Sequence, residues 1–360
     1  MSQAKYFRDC KYFRGDIPCR QHKEEGVHCE NCKYYEPKKD IILIIKLGAV
    51  GDVIRTTPLL YKIWEEHPDS LVWWLTYTPD VLPESIDKVF PFDLESILTL
   101  RATDFKLLIN LDKDLQACAL AKQISSKEKF GFILKAGKPA PVDEKAEWKF
   151  LSGLFDDVNQ ANTKSYLHEM FEICGWEFNG EEYILDCNDS IKWEISNEGK
   201  KIIGLNTGCG GRWVSRLWAE ENWEKLILLL KQAGYFPMLL GGEQEDEKNI
   251  RLAGKTSAFY PGHFSFDNFI SLMNQCDVVV SAVTMAMHIA IGLKKPLVLM
   301  NNIFNRHEFE LYGRGEIVEP DKPCQCFFSP NCKNTEYFCM EHLSAEKIFK
   351  AVVNLVKSEK

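Results

Sequence analysis

Residues 41–60 read IILIIKLGAVGDVIRTTPLL, and this stretch decides the fold. Ile41-Ile42-Leu43-Ile44-Ile45 is an unbroken apolar, largely β-branched run, the pattern of a parallel strand buried on both faces. Gly48 and Gly51 then permit a tight turn, and Asp52-Val53-Ile54 opens a helix expected to run to Glu66. The unit is strand, glycine loop, helix. It predicts a ligand site beyond the carboxyl end of the strand, where open parallel sheets place one. The spacing lacks Gly-x-Gly-x-x-Gly, which argues against a nicotinamide enzyme. Asp52 has a bland reading as a helix cap and a chemical one as an exposed carboxylate at the mouth of a cleft.

Outward from this unit the pattern repeats. Strands are expected at Leu71–Thr76, Lys88–Phe92, Lys106–Leu111 and Lys129–Leu134, with helices between several of them. A polar, irregular stretch near Cys187–Gly199 reads as a linker. A second series opens at Lys201-Ile202-Ile203-Gly204-Leu205 and continues through Pro237–Leu240, Asp277–Ser281 and Leu297–Met300. A last amphipathic helix at about Ser344–Lys357 carries Ile348, Val352, Leu355 and Val356 on one face and must dock on something. The expected organisation is a Cys-rich extension at 1–39, an α/β domain at 40–190, a second at 191–343, and a docking helix at 344–360.

Composition narrows the classes. A chain of 360 residues with 45% hydrophobic residues can bury two cores. The formal charge of −8 disfavours nucleic acid as a partner. No run approaches the roughly 18 apolar residues of a membrane span, and Met1–Asp40 has no signal-peptide core, so a cytoplasmic protein with at most peripheral membrane contact is expected.

In that compartment the thirteen cysteines are expected as thiols or metal ligands. Cys10, Cys19, Cys29 and Cys32 fall in the first segment, which carries nine Lys/Arg against six Asp/Glu and lacks an apolar period. A short segment without a core needs a staple. Cys29-x2-Cys32 is half of a zinc site, Cys10 and Cys19 complete a tetrahedron, and His22 and His28 are alternative ligands. Cys324, Cys326, Cys332 and Cys339 form a second possible set. Zinc is the expected structural ion, with an iron–sulfur cluster as the alternative. Neither set looks catalytic.

The string from Ile42 to Leu60 resembles the opening of glycosyltransferase family 9, which contains the heptosyltransferases of lipopolysaccharide core assembly. The likeness continues through Arg216-Leu217-Trp218-Ala219-Glu220-Glu221-Asn222-Trp223, with Ala219 where the family usually has Pro. It runs on through Leu239-Leu240-Gly241-Gly242-Glu243, Cys276–Ser281, Thr284-Met285-Ala286-Met287-His288 and Glu310–Gly315, about residues 41–355 in all.

The resemblance implies the GT-B architecture, two facing Rossmann-like domains with doubly wound parallel sheets. It implies an acceptor on the first domain, near Lys46, Gly48 and Gly51, and a nucleotide diphosphate-sugar, ADP-linked, on the second. Asp52 falls on the family's catalytic carboxylate and Arg216 on its basic phosphate-binding residue. Thr207, Gly208, Arg212, Glu243, Thr284, Met285 and His288 fall on the donor side. The family's Asp-Thr-Gly-x-x-His segment has Val283 for its Asp and Met285 for its Gly.

The chemistry implied is an inverting transfer of a sugar, heptose from ADP-heptose, onto a lipopolysaccharide-core or other cell-envelope glycan or glycolipid. A positioned base would take the acceptor proton while cations steady the leaving diphosphate, with no cofactor in the chemistry. The same architecture also serves enzymes that epimerise nucleotide sugars. A second reading, favoured by Val283 and Met285, is a catalytically weak glycan- or nucleotide-binding protein.

Overall fold

The structure, a computed structural model, describes residues 5–358. Of the expected extension and terminal helix, residues 1–4 and 359–360 lie outside the described residues. Contacts divide the chain into two compact units. One comprises the chain up to Leu47, Leu59–Pro79 and Glu84–Ala146, and the other Gly48–Pro58, Asp80–Pro83 and everything from Glu147 onward.

The first unit holds a six-stranded sheet made of β1 (Asp40–Ile45), β2 (Ser70–Thr76), β3 (Lys88–Pro91), β4 (Asp104–Asn110), β5 (Ser125–Lys135) and β6 (Lys138–Pro141). Their order is β3-β2-β1-β4-β5-β6, parallel except for the terminal β5–β6 hairpin. β1 is central: Ile42 to Ile45 are all fully buried, as its continuous apolar run requires. The order reverses at β1/β4, so the loops after these two strands flank the sheet's switch point.

The second unit is built on β7 (Ile202–Asn206), β8 (Phe236–Leu240), β9 (Val278–Ala282), β10 (Leu297–Met300) and β11 (Gly315–Val318). The order β11-β10-β9-β7-β8 is parallel throughout and reverses at β7/β9. Ile203, Leu205, Val278, Val280 and Val298 form its core with Trp223, Leu226 and Leu230 of helix Glu220–Gln232. The terminal helix, Ala345–Ser358, docks in this same core through Ile348, Ala351 and Val352. Both sheets are of the doubly wound kind that the sequence predicts.

Two findings differ from the sequence expectation. The boundary expected at 190 falls instead near 147, because helices Glu147–Ser152, Asp156–Ala161 and Tyr166–Ile173 group with the second unit. Asn305 Nδ2 donates to the carbonyls of Asn159 and Asn162 at 2.6 and 2.7 Å, and Tyr312 Oη donates to the Glu181 carbonyl at 2.7 Å. The second difference concerns the glycine loop. The helix expected from Asp52 to Glu66 is two helices, Val50–Ile54 and Leu59–Glu66, broken before Pro58, which cannot continue a helix. The segment 48–58 belongs by contact to the second unit.

The terminal helix provides a stability test. Ile348 is fully buried, so Ile348→Ala should cost about 2–5 kcal/mol and lower the urea midpoint, while Lys350→Ala on the exposed face should change it by less than about 0.5 kcal/mol.

Candidate active site

The site of the second unit begins with backbone that must be bare. A Cβ on Gly51 would overlap the His288 imidazole, so helix Val50–Ile54 can approach helix Met285–Gly292 only with glycine at 51. Asp52 follows in the first turn. Its Oδ2 accepts from the Ala49 N–H at 3.3 Å, so the capping reading is satisfied. Its Oδ1 pairs with Arg55 at 2.7 Å, and the side chain remains about one-third exposed.

Arg55 joins several groups at once. It pairs with Glu308 Oε1 at 2.9 Å as well as with Asp52, and its guanidinium lies 3.3 Å from the centre of the Tyr166 ring. Burial alone would weaken its charge, but Asp52 and Glu308 outweigh burial and hold its pKa above the ordinary value. His288 is buried beside these groups, its Nδ1 3.4 Å from Tyr183 Oη. Burial, then the neighbouring Arg55 charge, pushes its pKa down to about 3, with Asp52 opposing. The imidazole is neutral at physiological pH.

A second group of residues sits at the β7/β9 switch point. Asn206, the last residue of β7, donates through Nδ2 to the Gly208 carbonyl at 3.1 Å, to Ser281 Oγ at 3.2 Å and to Thr284 Oγ1 at 3.4 Å. Thr284 caps helix Met285–Gly292 by accepting from the Ala286 N–H at 3.2 Å. Thr207 Oγ1 donates to Asn249 at 2.6 Å, and Lys248 Nζ donates to the Thr207 carbonyl at 2.7 Å. A Cβ on Gly208 would overlap the Glu245 carboxyl group, whose Oε2 accepts from the Gly242 N–H at 3.0 Å.

Arg216 is the unusual charge. It is only 7% exposed, and among the described residues it pairs with no carboxylate. Its guanidinium donates to the Cys209 carbonyl at 3.0 Å and lies over the rings of Trp213 and Phe304 at 5.7 and 5.5 Å. Burial without a counter-ion lowers its pKa to about 10. A buried cation held by carbonyls and rings keeps a charge that no carboxylate among the described residues neutralises.

The remaining expected residues lie as follows. Arg212 and Glu243 are exposed. Val283 is buried, and Met285 is 37% exposed. Lys46 is buried in the first unit and ion-paired with Asp112, whose other oxygen accepts from the Leu47 N–H. This pair spans the β1/β4 switch point and occupies Lys46 internally. Arg55, Tyr183, Glu308, Lys248, Asn249 and Glu245 were missed by sequence reasoning. For Glu245 a signal existed, two residues past Glu243 in the same loop. Glu308 lies 253 residues from Arg55 and had none.

The cysteine sets differ from each other. Cys10, Cys19, Cys29 and Cys32 line one cavity together with His22 and His28. In the other set the Cys326 and Cys332 sulfurs are 3.7 Å apart, and Cys324 hydrogen-bonds Cys339, raising its own pKa and lowering that of Cys339. Main-chain N–H groups reach Cys324 from Cys326 at 3.3 Å and Cys326 from Lys333 at 3.0 Å. Among the described residues, no three His, Cys, Asp or Glu side chains already stand in the arrangement of a single-ion site.

The paired α/β units define the fold class of nucleotide-sugar glycosyltransferases, and comparison fixes the family. The family described as glycosyltransferase family 9 (heptosyltransferase) matches residues 95–314, more than half of the chain. This chain belongs to that family and is a glycosyltransferase. A family 9 glycosyltransferase from Veillonella parvula is similar at TM-score 0.67 and 16% identity, over 90% of this chain and 99% of that one. The E. coli heptosyltransferase WaaC, solved with ADP, is similar at TM-score 0.62 and 14% identity over 88% and 98%. The iron-containing dodecameric glycosyltransferase TibC of enterotoxigenic E. coli gives TM-score 0.56 and 13% identity over 90% and 77%. Among curated protein sequences nothing matches.

The neutral His288 makes a pH prediction. Between pH about 3 and the ordinary imidazole value of about 6.5, the unfolded chain binds a proton here that the folded chain excludes. Stability should therefore fall as pH drops below about 6.5. His288→Gln removes this contribution, so its urea midpoint should depend less on pH from about 6.5 to 4 than that of the wild type. Identical slopes would show that His288 does not carry the effect.

Proposed function

We propose that the chain transfers a sugar, heptose from ADP-heptose, onto a lipopolysaccharide-core or other cell-envelope glycan acceptor, with inversion and with no metal in the chemistry. The single observation that carries this reading is Arg216: a buried guanidinium with no carboxylate partner among the described residues, in the unit expected to bind the donor. WaaC was solved with ADP, which supports a nucleoside diphosphate as the anion it receives. No helix among the described residues is long and apolar enough to cross a membrane, and we place the reaction in the cytoplasm, where the acceptor lipid would be met at the inner membrane face.

In this reading the second unit binds the donor. Arg216 and the backbone of Thr207 and Gly208 take the diphosphate, Arg212 closes over it from solvent, and Glu243, Thr284, Met285 and His288 contribute donor contacts. The first unit presents the acceptor. Asp52 removes the acceptor hydroxyl proton as that oxygen attacks the anomeric carbon. Arg55 fixes its carboxylate on one side, and its partial exposure leaves room for an acceptor. The leaving ADP gains charge as the bond breaks, and Arg216, desolvated in advance, stabilises it without reorganising.

Asp52→Asn should fold and bind ADP like the wild type but transfer sugar about 10²–10⁴-fold more slowly. Arg216→Ala should weaken ADP binding measured by calorimetry. Unaltered turnover in the first variant removes Asp52 as base. ADP binding with no transfer to any envelope glycan by the wild type would favour a binding protein instead, the reading that Val283 and Met285 support.

We also propose that Cys324, Cys326, Cys332 and Cys339 hold one structural ion, zinc or iron. Their close sulfur pair approaches the roughly 3.8 Å edge of a tetrahedron built on ~2.3 Å bonds, and TibC is described as iron-containing. The ion would staple residues 324–339. That loop holds Ser215, the neighbour of Arg216: its N–H donates to Pro330 at 3.0 Å and its Oγ to Ser329 at 2.7 Å, while Asn302 Nδ2 donates to both the Ser215 carbonyl and Cys339 Sγ. A Cys326→Ser/Cys332→Ser variant should lose about one metal ion per chain and bind ADP more weakly. Unchanged metal content would remove the site.

A further inference from the structure

The N-terminal segment is closed but hollow. Its ends are pinned together by Lys11 N–H to the Glu36 carbonyl at 2.8 Å and Lys38 N–H to the Asp9 carbonyl at 2.7 Å, with an antiparallel bridge between Cys10 and Pro37. It is attached to the first unit by the Lys39 N–H on the Asp69 carbonyl at 2.9 Å and an ion pair between Lys11 and Asp87 at 3.0 Å. Yet none of residues 5–39 is buried. A closed fold of this length with no packed interior needs another source of cohesion.

Between its strands of chain lies a cavity of about 670 Å³ that opens on one side to solvent. Cys10, Cys19, Cys29 and Cys32 all line it, although they are spread over 23 positions of chain. Cys29 and Cys32 are brought together by the single turn Cys29–Asn31, in which the Cys32 N–H donates to the Cys29 carbonyl at 3.3 Å. His22, also on the lining, is held elsewhere, its Nδ1 2.9 Å from the Val27 carbonyl.

Two features decide what fits. The first is size. A zinc ion draws four sulfurs to edges of roughly 3.8 Å, and a water-sized guest fills only about 30 Å³. Among the described residues no disulfide or hydrogen bond joins any two of these four sulfurs, whereas Cys326 and Cys332 stand 3.7 Å apart in the other set. Four thiols spaced around a large void suit a guest whose ligands bind separate atoms on its periphery. A cubane of four irons and four sulfides is such a guest, since each cysteine meets a different iron. The second feature is charge. The lining includes Lys5, Arg8 and Arg14 and no Asp or Glu; Arg14 is already paired with Asp16 at 2.9 Å, which leaves Lys5 and Arg8 to face an anionic guest, and a cubane carrying four thiolates is anionic.

We propose that Cys10, Cys19, Cys29 and Cys32 bind a 4Fe–4S cluster that serves as the interior of the N-terminal segment. Loading is ligand exchange: a preassembled cluster passes from a carrier's thiolates to these four, their protons leave to solvent, and no iron changes oxidation state.

The test uses the full chain, purified without oxygen and incubated with preassembled cluster in small-thiol-ligated form. The wild type should retain, after gel filtration, a broad visible absorbance and about four acid-labile sulfides per chain. Sulfide is diagnostic because a single-ion site contains none. Cys29→Ser/Cys32→Ser should lose the sulfide, and Cys326→Ser/Cys332→Ser should keep it. Circular dichroism establishes that each variant is folded. Wild-type protein that retains zinc and no sulfide, or disulfides in place of metal, overturns the proposal, whatever the variants do. So does sulfide that survives loss of Cys29 and Cys32 or vanishes with Cys326 and Cys332.

Discussion

The second unit depends on a steric constraint: the His288 imidazole fills the space beside Gly51, so the chain leaving β1 can pass only as bare backbone. That close approach seats helix Val50–Ile54 against helix Met285–Gly292 and brings Asp52 into the same unit as the switch point of the second sheet. The steric condition carries an electrostatic one. Arg55 lies beside the ring, so an imidazolium would face a guanidinium in a buried place. The ring must stay neutral for the packing to persist. Gly51, His288 and Arg55 are therefore one device, although His288 lies more than 230 residues along the chain from the other two.

The two buried arginines of this unit differ in how their charge is met. Arg55 has two carboxylates and an aromatic face, so its charge is neutralised within the chain. Arg216 has a carbonyl and two rings. Carbonyls and rings offset part of the cost of burying a guanidinium, but the full charge is left for something else to neutralise. A chain whose only concern was stability would gain by an acid beside Arg216 or an apolar residue in its place. The unmatched charge is understandable if its partner arrives with the substrate.

Much of the fold was legible because parallel strands buried on both faces write themselves as unbroken apolar runs. β1, β7 and β10 are of this kind, and the sequence placed each within a residue or two. Two edge pieces were not: Lys138–Pro141 pairs by one hairpin and carries two prolines, and Gly315–Val318 is four residues long with only Val318 buried. The grouping of the helices from Glu147 to Ile173 with the second unit was not legible, because the two short ones, Glu147–Ser152 and Asp156–Ala161, bury almost nothing and leave no apolar stripe to say which sheet they serve. In the site, Asp52 and Arg216 could be singled out because glycine- and tryptophan-containing motifs flank them. Glu308 could not, since an ion pair across 253 residues leaves no local trace.

The same logic bears on positions 283–285, where the chain departs from the family pattern it otherwise resembles. Thr284 is retained, and its work is visible in the backbone: it caps the helix and, with Asn206 and Ser281, ties the two strands of the switch point together. Its neighbours differ in kind. Val283 is turned inward and buried, so it can be exchanged for an acid only with new space or a new partner, while Met285 projects to solvent and offers a flexible, polarizable surface. A carboxylate at 283 would read sugar hydroxyls by directed hydrogen bonds; a thioether at 285 reads shape loosely. Under the donor binding proposed above, the anchoring of the diphosphate is separable from the reading of the sugar: the first would draw on buried groups that packing constrains, and the second on an exposed side chain that can change without disturbing the fold.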